Sequence, residues 1–263
     1  MPFNSLKKVS HLVDAIVLAG RRNDGKLKEA APGCEWEALI DIGQKPMVSY
    51  VVEALQGAID GRICIVGPRE TQAVCNGVYV VPPGPTLVDN ILLGLEALPG
   101  SQWVLLATCD IPMLTARSVK DFLDRCFQVK ADFYYPIVLK EDAESRYPGV
   151  KRTYVRTRDG TFTGGNLMLA TPAVIRSCAR QAEDFIRFRK SPVKLATLVG
   201  PVFLVKFAFN LLTVAELEHK ISSMFNAVGR AVQTPYAEIG VDVDKPDDLE
   251  LARSVIPPRA AVL

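Results

Sequence analysis

Apolar residues fall in short continuous runs through the first half of the chain, separated by stretches with helical spacing. Val13 to Ala19 is the first run, rich in β-branched residues, and it predicts a strand buried on both faces of a parallel sheet. Arg62 to Val66, Val78 to Val81 and Trp103 to Thr108 repeat the pattern. Between them, Met47 to Gln56 and Thr86 to Leu98 predict helices, the second with Leu87, Ile91 and Leu95 on one face. Strand and helix in alternation predict an α/β fold, Rossmann-like and doubly wound, with a mostly parallel sheet, helices on both faces and right-handed crossovers.

The second half is mixed. Phe133 to Val138, Thr153 to Arg158 and Thr161 to Leu169 read as strands, with Asp159-Gly160 as a hairpin turn between the last two. Ala173 to Glu218 reads as helical, Ile239 to Val243 as a closing strand, and Pro246 to Ser254 as a helix opened by proline and acidic residues. The longest apolar stretch, Val199 to Leu212, is interrupted by Pro201, Lys206 and Asn210 and is shorter than the about 20 residues a bilayer requires. A core-packed helix is the expectation there.

Charge changes the picture little. Lys plus Arg total 31 against 29 for Asp plus Glu, a net charge of +2, so no broad basic field points to nucleic acid or a membrane. A small ligand is expected instead. The cysteines Cys34, Cys64, Cys75, Cys109, Cys126 and Cys178 form no CxxC pair, and Met1 to His11 lacks the features of a secretory leader, so reduced thiols and a cytoplasmic protein are expected.

Four segments carry candidate chemistry. Leu18-Ala19-Gly20 ends the first strand and leads into a loop with Arg21, Arg22, Gly25, Lys26 and Lys28. A glycine there permits close backbone approach, free amides cradle phosphate oxygens and the cations offset their charge; an ordinary turn fits as well. Neither a Walker loop nor a dinucleotide fingerprint is present. Asp110, in Cys109-Asp110-Ile111-Pro112, follows a strand where ligands of open α/β sheets gather, and suits Mg²⁺ or a helix cap before Thr115. In Val241-Asp242-Val243-Asp244, strand alternation sends both carboxylates to one face, so that either can join Asp110 while Asp244 also suits a cap. Gly164-Gly165-Asn166 offers close approach and an amide to a polar acceptor, or a plain turn.

Taken in order, LAG with its basic loop, GQKPM, CDIP and DVDKPDDLELA resemble the MobA-like NTP transferase family, GT-A-like nucleotidyltransferases related to the molybdopterin guanylyl- and cytidylyltransferases and to sugar-phosphate nucleotidyltransferases. The resemblance spans nearly the whole chain. It implies triphosphate binding by Leu18, Ala19, Gly20 and the basic residues to Lys26, Mg²⁺ on Asp110, and base or ribose contacts from Thr86, Asp89 and Asn90 in PGPTLVDN. Two positions depart from the family pattern: Arg21 stands where a second glycine is usual, and Glu37 where a lysine is usual before Ala-Leu-Leu.

The sequence reading is therefore one domain over residues 1–263, with a nucleotide-binding half at 12–115 and an acceptor-binding half at 130–256. The expected activity is Mg²⁺-dependent transfer of an NMP group from an NTP to a small phosphorylated or hydroxyl acceptor, releasing pyrophosphate. Mg²⁺ would sit on Asp110 and Asp242, with Arg21, Arg22 and Lys26 stabilising charge and Gly164, Gly165 and Asn166 on the acceptor. The alternatives are a nucleotide-binding regulator with little or no turnover and, lacking an Asp-x-Asp, a GT-A glycosyltransferase. His11 and His219 lie in none of these segments, so a His-based triad is not expected.

Overall fold

The computed structural model describes residues 11–188 and 200–256. Residues 1–10 and part of the predicted helical run, 189–199, lie outside the described residues.

Strand β1 (Val13–Leu18) is buried along almost its whole length and lies between two parallel neighbours, β4 (Ile63–Val66) and β6 (Trp103–Thr108). Leu18 pairs with both Val66 and Thr108, so all three strands end together at one edge. β5 (Tyr79–Val81) adds to β4 in the same direction. This is the predicted parallel half.

Because side chains alternate across a sheet, β1 feeds two cores. Val13, Ala15 and Val17 meet α1 (Met47–Gln56) and α4 (Ala116–Cys126) on one face. Ile16 meets α3 (Leu87–Glu96) and α6 (Pro172–Phe188) on the other. Full burial of such side chains contributes about 1.5–3 kcal/mol each, which is why the apolar runs fix the strands so firmly. In α3 the buried face starts at Val88 instead of Leu87, which is exposed directly after the Thr86 cap.

Beyond β6 the sheet changes direction. β10 (Leu167–Ala170) is antiparallel to β6 and to β7 (Phe133–Leu139), and β7 continues antiparallel through β9 (Gly160–Gly164) to β8 (Val155–Thr157). The order is β5-β4-β1-β6-β10-β7-β9-β8, with β11 (Gly229–Gln233) parallel to β7. One sheet thus runs through both halves of the chain. Two short strands, β2 (Asp41–Ile42) and β3 (Lys45–Pro46), make a separate hairpin before α1. Small helices α2 (Thr71–Val74) and α5 (Lys140–Arg146) follow β4 and β7.

Three expectations change. Thr161 to Leu169 is two strands, broken at Gly165-Asn166. Ile239 to Val243 is no strand: a 3₁₀ turn at Ala237–Gly240 leads into unpaired extended chain. The stretch expected as a core helix forms α7 (Pro201–Ala208), none of whose residues is buried. Of the described part of that stretch only Leu212 enters the interior, while the next helix, α8 (Val214–Phe225), packs against β11 and α6. The last helix, α9 (Pro246–Val255), packs Leu249 and Ala252 against Leu27, Ile42 and Val243.

Candidate active site

The carboxyl edge of β1 and β6 brings together segments that are far apart in sequence. Cys109 N–H donates to the Leu18 carbonyl at 3.1 Å, and Val243 N–H donates to the Asp110 carbonyl at 2.8 Å. The chain at 241–244 keeps its alternation without a ladder: Val241 and Val243 are fully buried, and Asp242 and Asp244 turn to the opposite side. Carboxylate oxygens of Asp110, Asp242 and Asp244 consequently lie within 4.8 Å of one another.

Like charges so close resist ionisation. Burial first, then Asp244, push the Asp110 carboxyl upward, against a 2.5 Å hydrogen bond donated by the Thr108 hydroxyl. Asp242 is pushed up to about 6 by burial and by Asp110 and Asp244. Three hard oxygen donors in this state fit a divalent cation, which would relieve their repulsion. Neither acid serves as a cap: Thr115 caps α4 itself, and Asp248 accepts the Lys245 N–H at the start of α9.

Arg21 is the cation at the cluster. Its guanidinium contacts Asp244 at 2.9 Å and Glu37 at 3.2 Å. Glu37, buried in the 3₁₀ turn Glu37–Leu39, is pushed up to about 7 by its burial, with Arg21 opposing the shift. The two positions that depart from the resembled pattern, Arg21 and Glu37, are thus in contact with each other.

The loop between them is ordered by its own backbone. Asn23 N–H donates to the Glu35 carbonyl and Glu37 N–H to the Arg21 carbonyl, while buried Asn23 Nδ2 donates to the carbonyls of Ala31 and Cys34. Arg22 lies over the Trp36 ring at 4.0 Å and pairs with Glu35, away from the acidic cluster. Lys26 is exposed. Gly20 is required by a close approach: a Cβ there would stand 2.6 Å from Pro83 Cβ and 3.1 Å from Asn90 Nδ2. Asn90 also accepts the Gly84 N–H at 2.6 Å, which holds PGPTLVDN in shape where it meets the first loop. Thr86 and Asp89 complete each other's capping box at the start of α3. Leu18 and Ala19 form the strand edge that positions Gly20.

Asn166 sits between the two acidic segments, donating its N–H to Ile239 and accepting from Thr108 N–H. The glycines before it are explained by packing: side chains at Gly164 and Gly165 would collide with Tyr135 and with Ile239 and Pro136. The sequence reading missed Thr108, Asn23 and Arg152. The first two carry a signal, a hydroxyl beside the edge acid and an amide in a loop that needs backbone partners. Arg152 carries none. Its guanidinium donates to the Gly240 carbonyl and leaves Nη2 buried without a partner, and burial lowers its pKa although Asp242 opposes this.

Known structures share this architecture. A hypothetical transferase from Thermus thermophilus is 38% identical, with a TM-score of 0.80 over 90% of this chain and 98% of its own. The 2-C-methyl-D-erythritol 4-phosphate cytidylyltransferase from the same organism is 13% identical, with a TM-score of 0.54 over 91% of this chain and 96% of its own. A nucleotidyl transferase from Methanothermobacter is 14% identical, at 0.52 over 92% and 96%. No curated protein matches by sequence. The match to the MobA-like NTP transferase domain runs over residues 15–226 and includes the Gly20 loop and Asp110, and the chain belongs to that family of nucleotidyltransferases.

Proposed function

We propose that the protein is a Mg²⁺-dependent nucleotidyltransferase that moves an NMP group from an NTP to a small phosphorylated or hydroxyl acceptor and releases pyrophosphate. The observation that carries this reading is the cluster of Asp110, Asp242 and Asp244 beside the Gly20 loop, with Arg21 bound to it. Asp110 and Asp242, with Asp244, would hold the ion, which when bound supplies Lewis-acid charge to the phosphate oxygens.

The chain's own groups do the rest. Gly20 lets Pro83 and Asn90 close against the end of β1 beside the triphosphate site, and Arg21, with Lys26 from the loop, stabilises the charge that develops on the departing pyrophosphate. Glu37 fixes the Arg21 guanidinium at the cluster. An acceptor oxygen attacks the α-phosphorus as the bond to the bridging oxygen breaks, and the pyrophosphate leaves with that electron pair. Asn166, between β9 and β10, sits where the acceptor would enter from the antiparallel half.

A thermal-shift series with the four NTPs, with and without Mg²⁺, tests the binding part. Stabilisation by one NTP should need Mg²⁺ and vanish in Asp110→Ala; if it persists there, the metal assignment is wrong. Pyrophosphate release with an acceptor panel then separates the enzyme from a nucleotide-binding regulator. The regulator reading draws support from the engagement of Arg21 by both Glu37 and Asp244.

A further inference from the structure

Among the described residues, three buried side-chain polar atoms have no hydrogen-bond partner: Asn23 Oδ1, Arg152 Nη2 and the Tyr154 hydroxyl. The last two are donors, they stand two residues apart on the stretch that leads into β8, and each acts electrostatically on the other. Asp242 and Asp248 act on the Arg152 charge too, but neither is in contact with it. An unmatched charged donor is among the costlier groups a fold can bury, and a bound anion would recover that cost.

Position says which anion. Arg152 Nη1 donates to the Gly240 carbonyl, and a Cβ on Gly240 would stand 2.9 Å from the Gly164 carbonyl oxygen and 3.1 Å from Arg152 Nη1. Arg152 therefore sits where the turn before Asp242 meets the segment before Asn166, two residues from each. Arg21 reaches the acidic cluster from the Gly20 loop, whereas Arg152 flanks it from the antiparallel half. Lys140, over the Tyr154 ring at 5.6 Å, is already paired with Glu144 at 3.6 Å and adds no free charge.

The geometry points to Arg152 and Tyr154 as the pair that holds a phosphate carried by the acceptor. This rests on the transfer reaction proposed above and narrows its acceptor to a phosphorylated one. A planar guanidinium and a phenol hydroxyl direct donors at the tetrahedral oxygens of a phosphate, while a neutral alcohol would leave the Arg152 charge unmatched. Both side chains are partly exposed although these two atoms are covered, so binding requires a local side-chain shift.

The test is thermal unfolding of the full chain, without Mg²⁺ or nucleotide, in inorganic phosphate, glycerol 3-phosphate or glycerol at equal concentration, with ionic strength matched by chloride. Both phosphates should raise the midpoint saturably, and glycerol should not. Arg152→Met keeps the apolar stem and removes the charge, and should weaken phosphate binding about a hundredfold or worse. Tyr154→Phe deletes a hydroxyl that has no partner in the protein, so its phosphate-free midpoint should stay level while phosphate binds about fivefold more weakly. No saturable stabilisation of the wild type, or equal binding by the folded variants and the wild type, would overturn the proposal. So would a response kept in Arg152→Met and lost in Arg21→Gln, which would put the phosphate at the Gly20 loop. The Mg²⁺-dependent response to NTP should persist in both variants; its absence from a wild type that still binds phosphate through Arg152 would count against nucleotidyl transfer and leave the anion site standing.

Discussion

The two edges of the parallel sheet treat carboxylates in opposite ways. At the amino edge, Asp14 on β1 is buried yet receives hydrogen bonds from Arg62 N–H at 2.6 Å, Arg62 Nη2 at 2.7 Å and the Ser101 hydroxyl at 2.6 Å. Burial works to raise its pKa, but these donors outweigh burial and hold the carboxyl below its usual range. At the carboxyl edge, Arg21 contacts Asp244 and Glu37, Asp242 acts on the charge of Arg152, and Asp110, Asp242 and Glu37 are nonetheless pushed upward. An acid supplied with donors by its own chain holds the fold together. Acids left short of them repel one another, which a bound cation would reverse.

Substitutions at the two edges should therefore separate turnover from stability. The largest effect is expected for Asp110→Ala, a loss of roughly a thousandfold in pyrophosphate release, ~4 kcal/mol, since metal-borne charge stabilisation is worth several kcal/mol. Its unfolding midpoint without Mg²⁺ should stay level or rise, because a crowded charge is gone; retained turnover would erase the contrast between the edges.

Next comes Asp14→Ala, which leaves Arg62 and Ser101 without their acceptor. Denaturant unfolding should report a loss of ~3 kcal/mol, the lower end for a broken buried pair because Arg62 is partly exposed, with nucleotide affinity of the folded fraction unchanged. The same pair predicts a pH signature. The unfolded Asp takes up a proton below about pH 4 while folded Asp14 resists it, so the pair's contribution is present above that pH and is lost as pH falls through the folded value. Asp14→Asn should flatten the acid limb of the stability curve.

Smaller is Glu37→Gln, which releases Arg21 from its anchor. We expect about a tenfold fall in kcat/KM, or ~1.4 kcal/mol, with Glu37→Asp retaining more activity than the amide. A gain in activity would mean that Glu37 restrains Arg21 instead of placing it. Smallest is Thr86→Ala at the α3 cap, which should lower stability by ~1 kcal/mol and leave Mg²⁺-dependent NTP binding intact. Loss of binding there would give Thr86 a ligand contact beyond its capping role.

How much of this was legible in the sequence followed from how local each determinant is. β1, β6 and α1 were readable because unbroken apolar runs and 3.6-residue spacing leave few options, and Asp110 was readable from its place after a strand. β11 was not, since Gly-Arg-Ala-Val-Gln has little apolar pattern and forms by adding to β7. Val241 to Asp244 alternates like a strand but finds no ladder partner, and its alternation still aims both aspartates correctly. Glu37 was visible only as a departure, because its meaning depends on a contact to Arg21 across a folded loop. α7 was misplaced because apolar content reports a preference for leaving water without saying which surface receives it.

The bond from Val243 N–H to the Asp110 carbonyl also bears on how the protein comes into being. During synthesis, the parallel half and Asp110 emerge long before Asp242 and Asp244 are translated, so a nascent chain holds one of the three clustered acids. The cluster is completed only when the final segment returns across the edge of β6. A fragment trimmed at residue 226, where the family match ends, would retain Asp110 and lack the other two.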